Sequence, residues 1–132
     1  MKVATDTNII ARAMLADDPK QTDIAQKLLG EADMIVISIS TLCELVWVLD
    51  KRRIGRSAIA DGIERLVAPR HVMINRGAVD AGLAQLRAKG DFADAAMAYE
   101  GIQAGAETFA TFDKKAARLL KAAGQPVSLL GA

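Results

Sequence analysis

Two hydrophobic periods alternate along this chain, and that alternation restricts the fold more than any other feature. Apolar runs of four or five residues recur at Lys2 to Thr5, Met34 to Ser38, His71 to Ile74, Thr108 to Thr111 and Pro126 to Leu130. Between them lie longer segments in which apolar residues return every three or four positions, as on one face of a helix. Parallel strands need a crossover long enough to hold a helix, so the pattern predicts an α/β fold with a parallel sheet covered by helices. Asp18-Pro19 supplies a cap and a first-turn proline for a helix from about 19 to 29, with Gly30 to close it. Ser40 is placed to cap 41–53, whose basic end suits the negative pole of a helix dipole, and Ser57 to cap 58–68, ahead of Pro69. Val79, Leu83 and Leu86 share a face of a helix closed by Gly90. A further helix is expected from Asp91 or Phe92 to Gly105, and a last one ends at Gly124.

The length of 132 residues suits one domain covering residues 1–132. Apolar residues at 52% and charged residues at 25% are globular proportions, and no segment approaches the roughly 18 apolar residues of a membrane span. The N-terminus lacks the basic flank, apolar stretch and cleavage site of a signal peptide, and the single Cys43 has no internal partner for a disulfide. A soluble, cytoplasmic protein with no membrane partner is expected. The formal charge of +1 gives no general attraction to polyanions, so nucleic-acid contacts would need local basic clusters. An aromatic content of 4% argues against a surface that binds several bases by stacking.

Acidic residues inside apolar surroundings carry the chemistry, because Asp and Glu are seldom buried without a partner. Four stand out. Asp6 follows the first strand, Glu44 interrupts "TLCELVWVL", Asp94 lies in "DFADAAMA", and Asp113 follows "TFATF". Asp6 and Asp113 sit directly after predicted strands, and Glu44 and Asp94 within about the first turn of predicted helices. In an open parallel sheet those positions all belong to the edge where ligands bind, which puts the four acids on one rim. If strands one and four are neighbours, Asp6 and Asp113 flank the topological switch point. Four carboxylates in one cleft repel one another, and a bound cation relieves that repulsion. An all-oxygen donor set selects Mg²⁺, with Mn²⁺ as a substitute, over zinc, and lone His71 and Cys43 make no zinc site. Such an ion lowers the pKa of a bound water and stabilises charge building on a phosphodiester.

The motifs "DTN" at 6–8, "SISTLCEL" at 38–45, "DFADAAMA" at 91–98 and "ATFDKK" at 110–115 resemble those of the PIN-domain nucleases, and more narrowly of the VapC-type toxins of bacterial toxin–antitoxin pairs. The resemblance covers essentially the whole chain. It implies a five-stranded parallel sheet of order 3-2-1-4-5 flanked by helices on both faces, and Mg²⁺-dependent endoribonuclease activity. It also implies a homodimer and a cognate antitoxin whose Arg or Lys enters the acidic cleft. Carried over by position, it marks Asp6, Glu44, Asp94 and Asp113 as the acidic quartet around the metal. It marks Asn8 as the polar residue that orients Asp6 or a water, and Thr111 as the hydroxyl beside the last acid. Asp91 fits an outer-shell or capping role. The fourth motif departs from the commoner "T-x-D-x-D-F" form, so Asp113 is the sole acid there. The mechanism implied is attack of an activated water in line with a departing 3′ oxygen, which leaves a 5′ phosphate.

Plainer readings stand beside these. Asp6, Asp94, Asp113 and Glu44 can each cap a helix or satisfy its dipole. "KRRIGR" at 51–56 reads as a solvated helix end before an RNA contact, with Lys114 and Lys115 better placed to hold a phosphate backbone. Trp47 and Met14 read as core or subunit interface, His71 as structural and Cys43 as a small buried apolar residue. Two rival functions share the composition. A phospho-acceptor receiver domain needs an acidic pair after strand one and a Lys after strand five, and neither is present. A catalytically silent binding module would show no EDTA-sensitive RNA cleavage.

Overall fold

The computed structural model describes residues 1 to 131. These form, in chain order, β1 (Lys2–Ala4), α1 (Thr7–Leu15), α2 (Pro19–Glu31), β2 (Met34–Val36), α3 (Ile39–Lys51), α4 (Arg56–Val67), β3 (Val72–Met73), α5 (Arg76–Arg87), α6 (Phe92–Gln103), β4 (Phe109–Thr111), α7 (Lys114–Ala122) and β5 (Val127–Leu129). This is the mixed α/β architecture expected from the alternating periods. The chain divides into two compact units, Met1–Ile74 and Asn75–Ala132.

In the first unit β2 lies between β1 and β3, and both pairings are parallel, with Val3 beside Ile35 and Ile35 beside Val72. The ladder extends past the strand ends, where the Ile37 amide donates to the Met73 carbonyl at 3.0 Å. Ile35 and Ile37 face inward while Val36 between them is 44% exposed, so the period of two seen in the sequence is a burial pattern here. Ile10, Leu42, Leu45, Ile59 and Ile63, from α1, α3 and α4, are buried with them. Gly62 on α4 allows Met14 of α1 to approach, since an added Cβ would stand 2.7 Å from its terminal carbon.

In the second unit β4 pairs with β5 in parallel, Thr111 beside Leu129, and α7 makes the crossover. Leu120 of α7 is fully buried in a cluster with Ala95 and Ala98 of α6, against which Phe109 and Val127 pack. Helices α5 and α6 pack closely because α5 offers glycines under two rings: a Cβ on Gly82 would lie 2.5 Å from Phe92, and one on Gly77 would lie 2.0 Å from the Tyr99 hydroxyl. Of the expected order 3-2-1-4-5, the runs β3-β2-β1 and β4-β5 are hydrogen-bonded, as a three-stranded and a two-stranded parallel sheet.

Several helix ends differ from expectation, each for a local reason. Helix α2 runs through Gly30 to Glu31, since Gly30 keeps ordinary helical backbone and imposes no stop. Ser38, and not Ser40, caps α3, its Oγ accepting from the Thr41 amide at 3.1 Å. The earlier start places Ile39, Leu42, Leu45 and Leu49 on one buried face, which a start after Ser40 would deprive of Ile39. Helix α4 starts at Arg56 after Gly55 with no side-chain cap, so Ser57 lies inside its first turn. At the end of α5 the left-handed residue is Lys89, φ 68°, and not Gly90. The Gly90 amide donates to the Gln85 carbonyl and the Lys89 amide to Leu86, a Schellman motif. Gly90 is required there for space, because a Cβ would stand 2.7 Å from the Gln85 side chain and 2.9 Å from Leu119.

Candidate active site

Asp6 sits between β1 and α1 and caps the helix: its Oδ1 accepts from the Ile9 amide at 3.1 Å. Asp113 repeats the arrangement between β4 and α7, with Oδ1 accepting from the Ala116 amide at 3.0 Å. Asp91 caps α6, its Oδ1 accepting from Ala93 at 2.7 Å and Asp94 at 3.4 Å, the capping geometry expected for it. Capping and ligand binding do not compete here. An ionised carboxylate has two oxygens and about four acceptor positions, and each cap uses only Oδ1. The bond fixes the side chain while Oδ2 takes no hydrogen bond among the described residues. A strand ending one or two residues before a helix requires a cap at that point, and Asp meets the need while bringing a charge.

Glu44 lies on the exposed face of α3 in the helix's second turn, not its first, because α3 begins at Ile39. Its Oε2 accepts from the Thr7 hydroxyl at 2.7 Å. Thr7 is the first residue of α1 and is 9% exposed. Asp6 and the holder of Glu44 are therefore consecutive residues at one helix N-terminus. Thr7 was not singled out by sequence reasoning. Its only signal was membership of "DTN", and nothing local says that its hydroxyl meets a side chain 37 positions away.

Asp94 lies in the first turn of α6, half-buried, and accepts no hydrogen bond through its side chain among the described residues. Its carboxyl is held above the ordinary aspartate value of 3.8, chiefly by burial and then by the negative charges of Asp91 and Asp113. Asp94 thus senses the charge of both Asp91 and Asp113. Thr111 turns its hydroxyl to the Asp113 amide, which donates to Oγ1 at 3.0 Å, so it shapes the turn that carries the acid. Asn8 is exposed in the first turn of α1 and lines a groove of about 490 Å³ beside Asp6, together with Ile9, Arg12, Gln21, Ile24 and Ala25.

The other sequence candidates take structural places. Arg52 of the basic segment donates to Asp17 at 2.9 Å, and Arg12 donates to the same carboxylate at 3.0 Å. The two guanidinium groups, Arg52 foremost, hold Asp17 below 3.8. Lys51 stands 5.1 Å from the centre of the Trp47 ring, which is 63% exposed and so no part of the core. Cys43 is half-buried. A ring nitrogen of His71 shares a hydrogen bond of 2.9 Å with the Leu29 carbonyl, tying α2 to the residue that leads into β3. Lys114 and Lys115 are exposed.

Among the described residues, no three His, Cys, Asp or Glu side chains are gathered closely enough to enclose a metal ion. Carboxylate oxygens are nonetheless the donor chemistry that suits a hard, hydrated divalent ion, which keeps several of its waters and needs no full protein cage. Asp94, pushed up by burial and like charge, has the environment a nearby cation would relieve. No helix is long and apolar enough to cross a membrane among the described residues. A comparison with curated proteins found no match. The PIN domain family profile matches residues 3–121, nearly the whole chain. PIN domains are in general metal-dependent nucleases, and the chain, with their nuclease-type fold, belongs to the PIN domain family.

Proposed function

We propose that the protein is a Mg²⁺-dependent endoribonuclease and the toxin of a type II toxin–antitoxin pair. Membership of the PIN family over residues 3–121 carries the reading. The unbalanced negative charge at Asp94 and the fixed carboxylates at the N-termini of α1 and α7 support it. The same membership displaces the receiver-domain alternative, whose acidic pair after the first strand the chain already lacked.

In this reading Asp6, Asp94 and Asp113 hold the ion, and Glu44 ligates it or orients the attacking water. A bound divalent ion would supply positive charge to the scissile phosphate and acidify water. The side chains supply the rest. Caps on Asp6 and Asp113 keep each carboxylate in one position, so little reorganisation accompanies the reaction. Glu44, one oxygen tied to Thr7, has Oε1 to accept a proton of the water and aim it at phosphorus. Attack in line expels the 3′ oxygen and leaves a 5′ phosphate, with the ribose 2′-OH taking no part. Lys114 and Lys115, following Asp113, suit the phosphate backbone on either side.

Asp6→Asn tests the assignment. It removes charge but keeps a capping oxygen, so cleavage with Mg²⁺ should fall by more than the roughly 10- to 100-fold typical of lost outer-shell partners while the fold survives. Wild-type cleavage by this variant would refute it. The antitoxin would act by presenting an Arg or Lys that replaces the metal's charge at these carboxylates. The chain itself would form a homodimer, which light scattering would report as twice the monomer mass.

A further inference from the structure

Resting on the assignment of Glu44 above, the geometry points to Thr7 as a positioning residue for the reaction: its hydroxyl sets the orientation of the Glu44 carboxylate. The two residues lie 37 positions apart, on α1 and α3, and meet through one bond of 2.7 Å. A hydrogen bond onto a carboxylate oxygen is roughly twice as strong as one between neutral groups. The direction is fixed by chemistry, since an ionised carboxylate only accepts.

Three features make Thr7 a holder rather than a bystander. As the first residue of α1 it has no carbonyl one turn back in its own helix, so its hydroxyl is not drawn into the bond that Ser and Thr make from helix interiors. Its β-branched side chain is stiff and nearly buried, whereas the Glu44 side chain is long and exposed. The stiff partner therefore dictates where the flexible one stays. Finally, no other group among the described residues bonds to the Glu44 side chain. Without Thr7, Glu44 would sample several rotamers and would have to be ordered each time it was needed. Asp6 immediately before Thr7 is anchored by its own cap, so one turn of α1 sets two of the proposed catalytic acids.

Thr7→Val keeps shape and burial while deleting the donor, and Thr7→Ser keeps the donor. Loss of one hydrogen bond to a charged group predicts a kcat about 10- to 100-fold lower in Thr7→Val. The KM for RNA should be unchanged, since Thr7, 9% exposed, offers a substrate almost no surface. Calorimetry on RNA-free protein should show Mg²⁺ bound several-fold more weakly, and a crystal structure of the variant should show Glu44 in more than one rotamer. Thr7→Ser should restore kcat and Mg²⁺ binding to near wild type. Glu44→Gln, run alongside, separates the two levels of inference. If it is impaired while Thr7→Val matches wild type in kcat and Mg²⁺ binding, the positioning role is overturned and the Glu44 assignment stands. If Glu44→Gln is fully active, the assignment falls and the inference with it. Equal impairment of Thr7→Val and Thr7→Ser, with lowered melting temperatures, would mean that Thr7 only packs.

Discussion

Asp94 combines partial burial, two acidic neighbours and no hydrogen-bond donor, and its stability contribution follows from the sign of its shift. The folded protein holds this proton more tightly than the unfolded chain, in which the aspartate titrates near 3.8. Folding is therefore penalised in full above the raised value, and the penalty fades as the pH falls through it toward 3.8. Asp94→Asn should accordingly raise the melting temperature of metal-free protein at neutral pH, with a gain that shrinks as the medium is acidified. Thermal melts in EDTA at a series of pH values check this, and a variant less stable than wild type at neutral pH would contradict it. Asp17, lowered by Arg52 and Arg12, and Asp33, lowered by the N-terminal amine, have the opposite sign. Their stabilisation is present above 3.8 and is lost as the pH falls through their depressed values. The acidic residues themselves stood out in the sequence, because charge amid apolar neighbours is a local signal. That the Asp94 carboxyl is pushed up was not legible, since it depends first on burial and then on which carboxylates lie near it.

At the level of elements, four helices end in the same way with different residues. The left-handed position after α6 and α7 is Gly105 and Gly124, and after α3 and α5 it is Arg53 and Lys89, with φ of 60° and 68°. In each, the next residue's amide reaches back to a carbonyl near the helix end, as Ile54 does to Leu49 and Gln125 to Leu120. A side chain at this φ costs about 1–2 kcal/mol, part of which a glycine returns to the flexibility of the unfolded chain. Lys89→Gly should therefore stabilise the protein by roughly 0.5–1 kcal/mol, read as a higher denaturant midpoint with unchanged slope. An unchanged or lower midpoint would show that the Lys89 side chain makes compensating contacts. Gly90 beside it draws the eye in the sequence as the natural helix stop, but it serves close packing against Gln85 and Leu119. Glycine has two separate uses, and single-residue reading does not tell them apart.

For the whole molecule, the proposed ligands are divided between two compact units, Asp6 and Glu44 in Met1–Ile74, Asp94 and Asp113 in Asn75–Ala132. An ion that binds only the folded chain raises its stability by about 2.7 kcal/mol when present at a hundred times its dissociation constant. Mg²⁺ should thus raise the melting temperature of the wild-type protein, and Asp6→Asn and Asp94→Asn should each diminish that rise. A rise that survives one of the two would remove that residue from the ligand set. Hydrophobic period, with cap and stop residues, was enough to read the five strands, six of the seven helices among the described residues and the α/β class, because burial on one face imposes its spacing on the chain wherever an element forms; α1 was foreshadowed only by Asp6 as a possible cap. The motif positions of Asp6, Glu44, Asp94 and Asp113 were readable for the same reason, each being a charge at an element boundary or on an apolar helix. Folding in three dimensions decided where helices start, which glycine serves a turn and which a close contact, and which hydroxyl holds Glu44. Those outcomes depend on atoms brought together from distant parts of the chain, as Thr7 and Glu44 are across 37 positions, and such pairings leave no trace in local spacing.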